Sequence, residues 1–237
     1  MELSEQQMRE RLVDLGNQRL LPQATVNYLT MLRDRGIYPK VIYDIGACVL
    51  HWTNEAVRIW PESEYYVFEA MPETEFMYLD KPHIKGHHNG VLSDANGKLV
   101  SFYQNTYHPG GNSYYRENIE VNPQAEEYFN ESHKKVYATS SLDMVRIDKK
   151  FPLPDLIKMD VQGAELDVIK GGMHCIMQAS HLILELQSVE YNKGAPLKQT
   201  VIDYLFDCGF KLAGDQPFHN AGPDGDYHFY NFVKHSM

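Results

Sequence analysis

The sequence is short of thiols, of positive charge and of long apolar runs. Its three cysteines, Cys48, Cys175 and Cys208, are an odd number, widely spaced and without a C-x-x-C pair. That pattern argues against a disulfide framework and against a thiolate zinc site, and a reducing, cytoplasmic setting is the simplest expectation. Lysine and arginine number 22 against 32 aspartates and glutamates, a formal charge of −10 at pH 7. A field of that sign repels a phosphate backbone and an anionic lipid surface, so nucleic acid is not an expected partner and no membrane insertion is foreseen. No apolar run approaches the ~20 residues that span a bilayer, and the opening MELSEQQMRERLVDLG carries charges where a secretion signal has its apolar core. None of the 11 histidines falls in H-x-H or H-E-x-x-H spacing, so no residue is assigned to a metal.

What is present suits one α/β domain with a short appendage: 237 residues, 43% hydrophobic and 23% charged. Residues 1–38 form the expected helical appendage, with Leu12 and Leu15, then Val26, Leu29 and Leu32, at helical spacing on either side of Leu21-Pro22. Residues 39–237 form the main domain. Its strand-like runs are Val41-Ile42-Tyr43, Tyr65 to Phe68, His87 to Leu92, Leu156 to Asp160 and His181 to Leu186. Helical segments lie around Asn54 to Trp60, Ala164 to Lys170 and Leu197 to Cys208, while Phe210 to Ala213 and Tyr227 to Val233 read as an antiparallel pair. Asn96-Gly97 is a hairpin turn signal, with Lys98 to Tyr103 as its return strand. Residues 104–135 are polar and rich in Tyr, Asn, Gly and Pro, which predicts an irregular insertion. Strand-helix alternation of this kind predicts a mostly parallel sheet with helices on both faces.

In such a sheet ligands bind outside the carboxyl ends of the strands. Asp44, Glu69, Ser93 or Asp94, Asp160 and Glu185 each stand at or near such an end, so polar termini converge on one rim. Glu69 follows Asp44 by 25 positions, close to the ~20 at which nucleotide-binding units place an acid on the ribose hydroxyls. The loop Gly46-Ala47-Cys48-Val49-Leu50-His51 holds one glycine where a dinucleotide site wants three. A ligand with ribose and adenine, no phosphates and a cationic tail suits this rim better, and S-adenosylmethionine is that ligand.

The ordered segments Val41-Ile42-Tyr43-Asp44-Ile45-Gly46-Ala47, Val67-Phe68-Glu69-Ala70-Met71-Pro72, Val91-Leu92-Ser93-Asp94, Ser141-Leu142-Asp143, Ile157 to Glu165 and Leu182-Ile183-Leu184-Glu185 resemble the FkbM-type methyltransferases. The resemblance implies a Rossmann-like class I methyltransferase fold, a mostly parallel seven-stranded sheet with an antiparallel C-terminal hairpin strand, S-adenosylmethionine as donor and a hydroxyl oxygen as usual acceptor. It assigns Asp44, Gly46 and Ala47 to the methionine end of the cofactor, Glu69 to the ribose, and Ser93 with Asp94 to the adenine side, with Ala70 also counted among the cofactor-binding residues. The chain departs from the family at Cys48, where Asn is usual, at Leu50, where Gly is usual, and at Gln162, where Glu is frequent.

Methyl transfer to an alcohol needs collinear oxygen, carbon and sulfur, and a group that takes the hydroxyl proton. Asp160 and His108 are the candidate bases, with capping or binding of the cofactor's ammonium as the alternative role for Asp160. Glu165, in the first turn of its helix, is read as structural support. Tyr107, Tyr114 and Tyr115 offer flat faces with polar edges for stacking on a sugar ring, and Glu185 and His219 complete the expected acceptor site. The expected function is O-methylation of a sugar or glycan by a monomer or homodimer. The alternatives are a polyketide or other small natural product as acceptor, and a non-catalytic binding module.

Overall fold

The computed structural model describes residues 4–235; residues 1–3 of the appendage and 236–237 of the main domain lie outside the described part. Two helices come first, α1 (Glu5–Gln18) and α2 (Gln23–Asp34). Ser4 starts α1 with a reciprocal cap: its Oγ accepts the Gln7 N–H and the Gln7 side chain accepts the Ser4 N–H. There follow β1 (Val41–Ile45), α3 (His51–Ile59), β2 (Glu64–Glu69), β3 (Ile84–Asn89), β4 (Val91–Leu92), β5 (Leu99–Tyr103), α4 (Ala125–Tyr128), β6 (Lys134–Ser140) and α5 (Leu142–Lys149). The second half contains β7 (Leu156–Met159), α6 (Glu165–Gly171), α7 (Met173–Gln178), β8 (His181–Gln187), α8 (Lys198–Asp207), β9 (Phe210–Leu212), β10 (His219–Asn220), β11 (Asp224–Asn231) and α9 (Phe232–His235).

The main sheet runs β10-β11-β8-β7-β1-β2-β3, with β9 also paired to β11. The strands β3, β2, β1, β7 and β8 are parallel, and β11 returns antiparallel beside β8. The two-residue β10 joins the seven strands expected for the class. The chain builds outward from β1 to β3, then comes back to place β7 on the other side of β1. Strand order therefore reverses between β1 and β7, and a crevice opens at their carboxyl ends.

The strands show why this sheet is buried on both sides. Tyr43, Ile45, Ile157, Met159, Leu182 and Leu184 project to one face, under Leu142, Leu166, Ile169, Ile176 and Leu205 of the later helices. Ile42, Tyr65, Leu156 and Ile183, one position out of phase, project to the other, under Leu29 and Leu32 of α2 and Trp52, Ala56 and Ile59 of α3.

The Asn96-Gly97 turn does not return the chain onto β3. Asn96 Oδ1 accepts the Ser141 N–H at 2.8 Å and the Gly97 N–H reaches Thr139 O at 2.7 Å, so the turn feeds a separate sheet, β4-β6-β5. In it β5 pairs antiparallel with β6, from Leu99 opposite Ala138 to Tyr103 opposite Lys134. The strand β6 has no apolar alternation in KKVYATS and most of it is exposed, which is why the pattern of hydrophobic residues does not announce it.

One polar pair lies inside this apolar frame. Asp44 of β1 and Lys158 of β7 are cross-strand partners on the α3 face. Lys158 Nζ is 3.1 Å from Asp44 Oδ1 and donates to Gly46 O at 3.0 Å, while Thr53 Oγ1 donates to Asp44 Oδ2 at 2.5 Å. Asp44 is fully buried, and Lys158 is 5% exposed. Burial alone would lower the Lys158 pKa, but Asp44 and then Asp160 hold it above the ordinary lysine value. Removing one member of a buried pair leaves a charge without compensation and costs about 3–5 kcal/mol. Lys158→Met is therefore expected to lose that much unfolding free energy in chemical denaturation, and adding Asp44→Asn to recover part of it. A loss below about 1 kcal/mol would show that the pair does not hold the sheet together.

Candidate active site

The loop after β1 is shaped by three residues with left-handed backbone, Gly46 (φ 78), Cys48 (φ 49) and Leu50 (φ 65). At Gly46 no side chain fits, because a Cβ there would lie 1.8 Å from the carbonyl oxygen of Asp160. At 48 and 50 the residues usual in the resembled family, Asn and Gly, are those that tolerate this conformation best, so Cys48 and Leu50 each carry about 1 kcal/mol of strain. Their side chains offset it by packing inward: Cys48 joins Leu12, Val49 and Met71, and Leu50 joins Val67 and Tyr78. The loop is pinned to the end of β2, where the Gly46 and Ala47 N–H groups donate to Phe68 O. Glu69 Oε2 accepts the Cys48 N–H at 2.7 Å, and Oε1 accepts the Met71 N–H at 2.9 Å.

A cavity of about 620 Å³ opens over this loop. It is lined by Gly46, Glu69 and Leu92 at the strand ends, by Phe102 of β5, by Tyr114 of the insertion, which covers it, and by Arg19 and Asp160. The cover is fastened at several points. Ser113 Oγ donates to Gln162 O at 2.8 Å, and the Tyr114 and Tyr115 hydroxyls donate to Asp167 Oδ2 at 3.0 and 2.9 Å.

A second cavity of about 780 Å³ lies on the other side of Asp160. It is bounded by Trp52, Glu185, His219 and Asp226, and it shares Arg19, His51 and Asp160 with the first. The two spaces therefore meet at a wall of three residues.

The electrostatics of that wall are set by a chain of polar contacts. Lys158 Nζ lies 3.7 Å from Asp160 Oδ2. The Gln162 side-chain amide donates to Asp160 Oδ1 at 2.8 Å and to Glu185 Oε2 at 2.7 Å. Burial pushes the Asp160 carboxyl up, yet Lys158 and the hydrogen bonds from Glu185 and Gln162 bring it below the ordinary aspartate value, so it is charged. Burial and the Asp160 charge hold Glu185 well above the usual range, so Glu185 keeps its proton. Burial and Asp160 also raise Asp224 and Asp226 to about 6. Among the described residues no group of three or more His, Cys, Asp or Glu side chains is arranged to hold a metal ion.

Glu165 ties off the loop between β7 and α6. Its Oε1 accepts the Val161 N–H at 3.0 Å and the Gly163 N–H at 3.3 Å, across a turn in which Gln162 (φ 53) and Gly163 (φ 95) are both left-handed.

Gly46, Glu69, Ala70, Tyr114 and Asp160 are brought to the first cavity, and Asp160, Glu185 and His219 to the second. Asp44 and Ala47, expected at the methionine end of the cofactor, line neither cavity and are buried, 0% and 1% exposed. Ser93 is buried, with its Oγ 3.3 Å from the Tyr114 hydroxyl, and donates to Asp94 at 3.1 Å; Gly90, Val91 and Leu92, not Ser93 and Asp94, face the cavity. His108 stacks on Tyr128 with centroids 3.7 Å apart, and Tyr107 packs under the Arg11 guanidinium at 4.3 Å. Neither of those two lines either cavity, nor does Tyr115. Three residues at the site escaped the reading of the sequence. Lys158 was hidden inside an apolar run, although a lone lysine in a central strand is itself a signal. Arg19 ends α1 and His51 begins α3, and neither was assigned a role from the sequence.

The residues fit S-adenosylmethionine. Leu92, Phe102 and Tyr114 offer apolar faces for a purine, the Glu69 carboxyl retains lone pairs for ribose hydroxyls, and Asp160 and Arg19 line the same space. The strand order, the crevice and this slot define a Rossmann-like methyltransferase. The methyltransferase FkbM domain model matches residues 44–212, and the chain belongs to that family, whose cofactor is S-adenosylmethionine. No curated protein matches the sequence. Among solved structures, an O-methyltransferase family protein from Burkholderia thailandensis is similar with a TM-score of 0.52 and 8% identity, covering 96% of this chain and 59% of that one. Magnesium protoporphyrin IX methyltransferase from Synechocystis with bound S-adenosylmethionine gives a TM-score of 0.45 at 12% identity over 94% and 83% of the two chains. Precorrin-6y C5,15-methyltransferase from Geobacter metallireducens gives 0.44 at 13% identity over 90% and 91%. Likeness at such identities speaks of the fold and not of the acceptor.

The Glu165 contacts generate a pH prediction. Burial raises its pKa from an ordinary 4.5 to about 7, so the folded chain holds the proton more tightly than the unfolded one. Stability from this group is complete below about pH 4.5 and is lost as pH rises through about 7. Glu165→Gln keeps an acceptor oxygen for both N–H groups and does not titrate. Relative to this variant, the natural chain is expected to lose roughly 2–3 kcal/mol of unfolding free energy over that window. Parallel stability curves for the two proteins would contradict it.

Proposed function

We propose that the chain transfers a methyl group from S-adenosylmethionine to a hydroxyl oxygen of a sugar or glycan. The observation that carries this reading is the shared wall of Arg19, His51 and Asp160 between the slot over Gly46 and Glu69 and a second cavity that holds Glu185, His219 and Asp226. In-line displacement needs such a junction, with donor and acceptor approaching from opposite sides and water excluded between them. The cofactor supplies an electrophilic methyl group on a sulfonium. Glu69 would accept from the ribose hydroxyls, the Asp160 carboxylate would hold the ammonium group, and Arg19 would face the carboxylate.

The second cavity suits a polyol. The protonated Glu185 offers a donor and an acceptor, and Asp226 and His219, with Asp226 Oδ2 3.4 Å from His219 Nδ1, offer further partners for ring hydroxyls. Leu20, Leu21, Pro22 and Ile183 line the same space, and this apolar side is what favours the second reading, a polyketide or other small natural product.

Calorimetric titration with S-adenosylmethionine and S-adenosylhomocysteine is expected to show one site per chain for each. Incubation of labelled donor with a panel of methyl glycosides and oligosaccharides is expected to place label on sugar oxygen. Failure to bind either form of the cofactor would overturn the whole reading, and label on apolar hydroxylated compounds but on no glycoside would transfer it to the natural-product acceptor.

A further inference from the structure

The mechanism above leaves the hydroxyl proton without a destination. Asp160 is poorly suited to take it, because Lys158, Gln162 and the proton on Glu185 already engage its oxygens. His108 stands outside both cavities, stacked on Tyr128. The wall contains one remaining group with a free lone pair, His51, at the first position of α3 directly after the strained Leu50.

We infer that His51 is the proton acceptor of the methyl transfer, a role that rests on the two cavities being the donor and acceptor sites. The imidazole lines both spaces. Its Nδ1 is enclosed with no hydrogen-bond partner among the described residues, so Nε2, which is not enclosed and is bonded to no described group, is the ring nitrogen that can meet a hydroxyl at the junction. The left-handed Leu50 caps α3 with its backbone, so that the turn delivers residue 51 to the junction and not residue 50, whose side chain is 1% exposed in the core.

The step balances as follows. A lone pair of the acceptor oxygen forms the bond to the methyl carbon, the carbon–sulfur bond breaks, and its electron pair stays on sulfur as a neutral thioether. The hydroxyl proton passes to the imidazole, which later releases it to water. The groups facing the ring from neighbouring elements are Arg19 after α1, Lys158 and Asp160 at the end of β7, and, across the second cavity, Glu185, His219 and Asp226. Burial first, then the positive charges of Arg19 and Lys158, lower the His51 pKa to about 3, with Asp160 opposing. The imidazole is therefore neutral and ready at every working pH. A weak base suffices, since the oxygen becomes a protonated ether as the new bond forms, a far stronger acid than any imidazolium.

Two measurements test this. In the natural chain, with histidine side chains labelled with ¹⁵N and His51 assigned through His51→Gln, addition of S-adenosylhomocysteine is expected to shift the His51 ring resonances, which keep a neutral pattern to about pH 4. Unmoved resonances would overturn the proposal whatever the acceptor proves to be. With the methyl glycoside that turns over best, His51→Ala is expected to slow kcat by about 10²–10⁴-fold while S-adenosylhomocysteine affinity changes less than threefold, and added imidazole is expected to restore part of the rate. A His51→Ala rate within threefold of the natural chain would overturn it, as would a full loss without any rescue by imidazole. Absence of cofactor binding by the natural chain would instead mark failure of the methyltransferase reading itself.

Discussion

The site depends on the ammonium group of Lys158. It stands between Asp44 and Asp160 and also donates to the carbonyl of Gly46. One buried cation thus joins the first strand, the loop that follows it and the end of the neighbouring strand, at the point where the sheet reverses its order. Without that charge, Asp44 would be a fully buried carboxylate held by Thr53 alone, and Asp160 would face three further acids, Glu185, Asp224 and Asp226. Coulomb attraction in a poorly solvated interior is strong enough to decide which of these acids ionises. Asp160 takes the charge, and Glu185 keeps the proton.

The division between those two acids is made visible by Gln162. Its amide group donates to both, so a neutral side chain sits between two carboxyls where the family often carries a third acid. The left-handed backbone of Gln162 and Gly163 aims the amide inward, and Glu165 locks that turn from behind through two backbone N–H groups. Ser113 then fastens the insertion to the same turn. The cover over the first cavity, the turn after β7 and the charged wall are consequently one connected unit, and a change in any of them is felt by the others.

Much of the fold was legible because its physics is periodic. The alternation of Ile42 and Tyr43, or of Leu182 and Ile183, puts opposite faces of one strand under different helices, and such runs show in the sequence. The strand β6 did not show, since its residues are mostly exposed and its partner β5 supplies the pairing. At the site, Glu69, Asp160 and Glu185 were readable as acids at strand ends. Asp44 was readable as an acid but not as a buried one, because its surroundings are supplied by Thr53 and Lys158 from other elements. The tyrosines of the insertion were visible as a group, yet which of them turns inward is decided by Asp167: its carboxylate draws both Tyr114 and Tyr115, and only Tyr114 reaches the slot. Arg19 and His51 carry no periodic or spacing signal, and only the packing of α1 and α3 around the crevice brings them together.

The account turns on two cavities meeting at one wall. A crystal structure of the chain with S-adenosylhomocysteine tests it most directly. The expected result is adenine between Leu92 and Tyr114, ribose on Glu69, and sulfur at the wall of His51 and Asp160, open toward Glu185 and His219. Adenine lodged in the cavity of Glu185 and His219, or sulfur turned away from that wall, would contradict it.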